Sequence, residues 1–432
     1  MSFADILSIF SGALTTLLLS AAGIALGLPV GLGLALLRWA RVPVAAPIVA
    51  LYVSLLRASP LVTLLLLLFY GLPNVGISVG PVTAGVLALA MNTSAFNCEV
   101  WRAALMAFPK EQTEAAQSVG MRRGLRFRRI VLPQIVRIGL PGLVNEMTQL
   151  IKVTPVLALV GVVDVTRAAV RIGASTYEPL PPLLVAIHLR AHRIRPGQHA
   201  ALDRAQAGAP GGAGMIHDFG IVWSERGLLL SGLMNTMLLS ALAGFCALVL
   251  GVLLSTVLMQ RARLLAQTAR VFVDAARCTP FLLFVYFVYY GLPSAGLRFD
   301  NWSAGLAALI VYHTAYMGEI LRGAWMAQPR EPIEAGQAFG YTGLKLFRRI
   351  VLPPLALASA PVVGNQIIQI IKDSAFLTII ALPELTNAAS SIQSRRYVPF
   401  ASFIIAMLLY WALCLVVEAG VAAAGRMAQA RR

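Results

Sequence analysis

One pattern is written twice in this chain, 220 positions apart. Glu111–Gln134 reads EQTEAAQSVGMRRGLRFRRIVLPQ, and Glu331–Pro354 reads EPIEAGQAFGYTGLKLFRRIVLPP. The same offset aligns Arg57-Ala-Ser-Pro60 with Arg277-Cys-Thr-Pro280, and Tyr70-Gly-Leu-Pro73 with Tyr290-Gly-Leu-Pro293. It also aligns Asn145, Gln149 and Lys152 with Asn365, Gln369 and Lys372. A repeat of constant offset implies two similarly folded halves. Each half sets one polar, basic insert between apolar runs. That arrangement suits a machine with a two-fold axis and two docking points on one side of a membrane.

The apolar runs decide the solvent. Hydrophobic residues make up 58% of the 432 residues and charged residues 12%. A chain of this length cannot hide so much apolar surface in its own core, so lipid must cover it. The runs predict spans near 11–37, 49–70, 80–104 and 138–163, then near 228–258, 270–290, 302–325, 357–382 and 398–424. The expected fold is an all-α polytopic transmembrane helical bundle of two pseudo-symmetric units, with about four and five spans. A net charge of +17 does not point to nucleic acid here, because Lys and Arg sit in short loops between apolar segments. Arg38 and Arg41 follow the first span, and Arg261, Arg263 and Arg270 follow its counterpart. Lys110, Arg122, Arg123, Arg126, Arg128 and Arg129 fill the first insert. The positive-inside rule places these loops in the cytoplasm. Both halves then start outside, a parallel rather than an inverted repeat. The opening MSFADILSIFSG has neither a basic leader nor a small-residue cleavage site, so no cleaved signal peptide is expected. Cys98, Cys246, Cys278 and Cys414 lie in or beside apolar runs and read as small core residues.

The halves differ at their ends. Tyr397 and Pro399 lead into a full span, FASFIIAMLLYWALCLVVEAG, whereas Tyr177 and Pro179 lead only into LPPLLVAI. An Arg at mid-bilayer costs about 2.5–3.5 kcal/mol, so Arg190, Arg193 and Arg195 exclude an ordinary fifth span. The chain divides into a first unit at 1–187, a Gly/Ala/Pro-rich junction at 188–214 and a second unit at 215–432. Two merged genes with a reading-frame slip account for the lost helix, and Met215 reads as a former start; a natural fusion or an artefact would leave the same trace.

In both inserts Glu-x-x-Glu-Ala-Ala/Gly-x-x-x-Gly is followed by Ile-Val-Leu-Pro. Glu111 and Glu114, like Glu331 and Glu334, fall on one face of a short helix with acidic charge favoured at its N-terminus. Ala115 and Ala116, matched by Ala335 and Gly336, keep that face flat enough to enter a groove. Gly120 and Gly340 permit a tight exit after the helix, and Pro133 and Pro353 open the next one. An amphipathic interfacial helix anchored by Arg128 and Arg129 explains one such copy. Two copies at one spacing favour a docking element.

These motifs resemble those of ABC importer permeases, whose Glu-Ala-Ala loop forms a coupling helix that inserts into an ATPase subunit. Arg57-Ala-Ser-Pro60 and Arg277-Cys-Thr-Pro280 resemble the Arg-Gly-Thr-Pro of the polar-amino-acid branch (histidine, arginine, glutamine and opine systems). Glu319-Ile-Leu-Arg322-Gly, Asn365 and Lys372-Asp-Ser374 resemble its Glu-x-x-Arg-Gly and Asn…Lys-Asp-Thr-Ser signatures. Three departures stand out. Val153 replaces the expected Asp, Glu111 and Glu331 follow Lys or Arg where Gly is usual, and Pro332 replaces Gln. The first half is therefore expected to contribute less, or differently, to solute passage.

Polar residues inside the spans form a second signal. Asn145, Gln149 and Lys152 share one helical stripe, and Asn365, Gln369 and Lys372 repeat it with Asp373 adjacent. Polar stripes at membrane depth face a cavity or a partner helix. Two readings stay open: a solute path near the pseudo-axis, or hydrogen bonds between helices. Glu99–Arg102 and Glu319–Arg322 read as interfacial ion pairs, and His313 as a packing position. No segment resembles a phosphate-cradling loop or a catalytic set, so the chain is expected to be neither an enzyme nor a binder of ATP or another cofactor. The resemblance implies a multi-pass permease of the bacterial inner membrane. It also implies two ABC ATPase subunits that use the ATP, a periplasmic solute-binding protein and a shell of membrane lipid as partners. An ion-gradient-driven amino acid transporter, or an importer permease for another small solute, is the alternative.

Overall fold

The computed structural model describes residues 2–176, 179–191, 215–260 and 262–430. The junction expected at 188–214 lies, beyond residue 191, outside the described residues. Those residues form α-helices joined by short 3-10 and π turns, with no β-strand among them.

Residues 2–168 form one cluster. It contains α1 (Phe3–Trp39), α2 (Ala45–Ala58), α3 (Leu61–Leu66), α4 (Pro81–Ala107), α5 (Lys110–Ser118), α6 (Arg123–Arg126) and α7 (Leu132–Val153). Helix α8 (Val165–Thr176) begins here. Small residues recur on α1 every four positions, at Gly23, Gly27, Gly31 and Ala35, and all four are buried. A side chain on Gly27 would put its Cβ 2.6 Å from Thr93 Cβ, and one on Gly31 would lie 2.9 Å from Asn97 Cβ. Close backbone approach through small residues is what joins apolar helices when lipid is the solvent, since burial there gains nothing over lipid contact.

The second cluster combines residues 169–191 with the described residues after 215. After α9 (Leu180–Ala191) come α10 (Met215–Ser224), α11 (Arg226–Leu258), α12 (Arg263–Cys278), α13 (Phe281–Tyr286) and α14 (Asn301–Met326). Then follow α15 (Glu331–Ala338), α16 (Gly343–Leu346), α17 (Leu352–Ser374), α18 (Leu385–Arg396) and α19 (Pro399–Ala430). Helix α9 ends the first half in sequence, yet it packs on second-half residues. Leu183 and Ala186 are buried, and a Cβ on Gly291 would meet Leu180 at 3.3 Å and Leu183 at 3.8 Å.

Among the described residues, six helical runs are long and apolar enough to cross a membrane, or eight if each bent pair counts as one span. The ninth expected span, near 80–104, is α4. It is 27 residues long, about 40 Å at 1.5 Å per residue, but Asn92, Thr93, Ser94 and Asn97 dilute its apolar character. The spans expected near 49–70 and 270–290 are not straight: α2 meets α3 at 109° and α12 meets α13 at 108°. Proline at Pro60 and Pro280 removes an amide donor and drives the preceding residue out of helical geometry. Ser59 and Thr279 accordingly sit in extended backbone at ψ 138 and 136.

Candidate docking helices and a buried polar cluster

Each insert folds into the short helix its sequence requires. Glu111 and Glu331 lie in the first turns of α5 and α15, where they meet the positive end of the helix dipole. Pro332 occupies the first turn of α15, a position whose amide has no helical partner to lose. Gly120 and Gly340 both take the left-handed conformation, at φ 77. The amide of Met121 donates to Ala116 O at 3.0 Å and that of Gly120 to Gln117 O at 3.0 Å. Tyr341 and Gly340 repeat the pair on Gly336 O and Gln337 O at 3.0 and 2.9 Å. This pair of hydrogen bonds is the Schellman cap, and it gives both helices the same exit.

Glu111, Glu114 and Ala115 are exposed on α5, as are Glu331, Glu334 and Ala335 on α15. The second member of each small pair lies elsewhere. Ala116 and Gly336 are buried against their own unit, not on the outer face expected for them. The helical repeat turns them inward with Thr113 and Ile333. A Cβ on Gly336 would come 2.2 Å from Ile350 Cδ1, the far end of a flexible side chain. The two residues just before the exit glycines went unnoticed in sequence. Val119 and Phe339 are 76% and 84% exposed, apolar tips at the end of each helix. In α15, Ala335 and Phe339 face Arg349 and Ile350 across a shallow open groove.

The polar stripes sit on α7 and α17. Asn145 and Asn365 are exposed, while Gln149, Lys152, Gln369 and Lys372 are half-buried. On α7, Lys152 Nζ donates to Gln149 Oε1 at 3.1 Å. On α17, Gln369 Nε2 instead donates to Asp373 Oδ1 at 2.8 Å. Asp373 is buried, and His313, expected as a packing position, joins it. His313 of α14 puts Nε2 3.4 Å from Asp373 Oδ2, while Gln366 Nε2 lies 2.7 Å from its Nδ1. A lone histidine gives no periodic signal, and its counterpart at the repeat offset is Thr93, so the duplication does not mark it either.

The expected ion pairs form. Arg102 binds Glu99 at 2.6 Å and Arg322 binds Glu319 at 2.7 Å. The third partner differs: Arg38 from α1 joins Glu99, whereas Arg277 from the end of α12 lies 3.7 Å from Glu319.

Comparison with known proteins adds the family. A 36% identity over 182 residues relates the chain to the histidine/lysine/arginine/ornithine transport system permease protein HisQ of Escherichia coli, covering 40% of this chain and 80% of that one. The probable glutamine ABC transporter permease protein GlnM of Bacillus subtilis is 29% identical over 201 residues, 46% of this chain and 93% of that protein. The nopaline transport system permease protein NocM of Agrobacterium fabrum is 34% identical over 182 residues, 40% of this chain and 76% of that protein. A crystal structure of an amino acid ABC transporter with histidines aligns at 27% identity and a TM-score of 0.46, covering 48% of this chain and 98% of that one. The model of binding-protein-dependent transport system inner membrane components matches residues 7–188 and again 247–426. The chain belongs to that family, and it carries the permease unit twice.

Proposed function

We propose that this chain forms the translocation path of an ATP-driven importer in the bacterial inner membrane. Its solutes are polar or basic amino acids, or related molecules such as opines. One ATPase subunit docks on α5 through Glu111, Glu114 and Ala115, and a second docks on α15 through Glu331, Glu334 and Ala335. A periplasmic binding protein delivers the solute, and the partner subunits supply all nucleotide chemistry. ATP binding draws the two ATPases together, and the docked helices pass that movement to their bundles, shifting the path toward its outward-open state. Asn145, Gln149 and Lys152, with Asn365, Gln369, Lys372 and Asp373, line the path and offer donors and charge to a zwitterion.

The observation that carries this reading is the pair of short helices with identical caps, each presenting an acidic and alanine-bearing face with an apolar tip. The names of the relatives favour amino acids as solutes. The test is co-purification of the chain with its ATPase subunits. E114K combined with E334K is expected to abolish it, because reversed charge opposes the docking surface at both sites and, at Glu334, the helix dipole as well. Retained co-purification would remove the docking role. Uptake driven by an ion gradient in the absence of the ATPases would favour the secondary transporter instead.

A further inference from the structure

The second unit holds an imidazole–carboxylate pair with no equivalent in the first. His313 is fully buried, and its Nε2 has no aligned hydrogen-bond partner although Asp373 Oδ2 is 3.4 Å away. A ring lone pair aimed at a carboxylate is repulsive, so Nε2 carries the proton and Nδ1 accepts from Gln366 Nε2 at 2.7 Å. Gln369 holds the other carboxylate oxygen. The amide of Gln366 thus fixes the tautomer, and the imidazole aims the carboxylate. Aromatic rings flank the imidazole, with the centroids of Tyr312, Phe281 and Tyr316 at 5.4, 6.0 and 6.3 Å. An aimed carboxylate with one long, unmade bond suits a cationic nitrogen, which adds charge-assisted hydrogen bonds.

At an offset of 220 the first unit has Thr93 for His313, Val153 for Asp373, Glu146 for Gln366 and Asn92 for Tyr312. It keeps an acid two turns away but has neither the imidazole nor the carboxylate of the pair. We propose that His313 is a specificity-determining residue of the solute path, acting through Asp373 to favour solutes that bring a cationic side chain, and that it does so from the second unit alone. This rests on the transport reading above. His313 is a positioning residue in that scheme; Asp373 makes the contact.

Equilibrium binding of radiolabelled arginine and glutamine to the purified chain–ATPase complex tests it, with uptake of both into proteoliposomes measured in parallel. His313→Thr, which installs the first unit's residue, is expected to weaken arginine binding about 10-fold or more while glutamine changes by less than about threefold. His313→Gln keeps an N–H donor and is expected to restore most of the discrimination. Thr93→Val in the first unit is expected to leave the arginine-to-glutamine ratio unchanged. An unchanged ratio in His313→Thr overturns the assignment, as does an equal loss for both solutes, the signature of a merely structural role. An equal effect from Thr93→Val overturns the one-sidedness. A wild-type complex that takes up neither solute from a full amino acid panel overturns the transport reading itself, and this inference with it.

Discussion

At the scale of single residues, a few buried polar groups set local geometry, and their protonation can be read out. Glu384 lies between the spans and is fully buried at the start of α18. Its carboxyl accepts from the amides of Thr386 and Asn387 and from Tyr410 Oη, each at 2.7 Å. Burial pushes its pKa up to about 8 from 4.5, and these hydrogen bonds offset only part of that. The folded protein therefore binds a proton that the unfolded chain releases near pH 4.5. Stability from this group is complete below that value and is lost as pH rises through about 8. Thermal unfolding in detergent at pH 5 and pH 9 should show it. The Tm advantage of wild type over Glu384→Gln is expected to shrink at pH 9, because only the carboxyl titrates; a constant difference would place an ionised carboxylate in the fold throughout. Gly340 offers a second test. Its φ of 77 is strained for any residue with a Cβ, so Gly340→Ala should loosen the α15 cap by about 1–2 kcal/mol. Faster amide exchange in α15 than in α5 would register it.

At the scale of elements, the α1–α4 seam shows how the repeat was diversified without losing its packing. Gly27 opposes Thr93 and Gly31 opposes Asn97, and Gly251 opposes Met317 in the other unit, where a Cβ would come to 2.6 Å. Gly27→Ala forces the helices apart and is expected to cost about 1–3 kcal/mol, the usual range for overpacking. Thr93→Gly removes the atom it strikes, so the double variant should recover part of that loss. Additive losses in a double-mutant cycle would mean the two positions do not touch. Much at this scale was legible in sequence. The repeat offset located α5 and α15, the glycines that end them and the prolines that begin the next helices, because each answers to a local rule. The bends at Pro60 and Pro280 were not anticipated, since apolar runs either side of a proline have the length of one span and hydropathy carries no direction. The inward turn of Ala116 and Gly336 was also missed. Both faces of an alanine-rich helix look alike until a neighbour such as Ile350 is in place. The His313–Asp373 contact joins residues 60 positions apart, on helices whose register no local pattern fixes.

At the scale of the whole molecule, duplication within one chain removes a constraint that binds a homodimeric permease. Two copies of one gene product must carry the same residue at every position, whereas two units in one chain can diverge while α5 and α15 remain matched. The sequence bears this out unevenly. The caps, exits and acidic faces of α5 and α15 correspond closely, but their surroundings differ. Arg122 and Arg123 of the first insert give way to Thr342 and Gly343 in the second. The carboxylates at Glu99 and Glu319 take their third partner from different helices. If each docking helix engages its own ATPase subunit, occupancy should be separable. Native mass measurement of the wild-type complex is expected to give two ATPase subunits per chain. Glu114→Lys alone and Glu334→Lys alone should each give one, since each reversal places the wrong charge on one docking surface only. Loss of both subunits from either single variant would mean that the ATPases bind only as a preformed pair, and the chain would then be one docking surface rather than two.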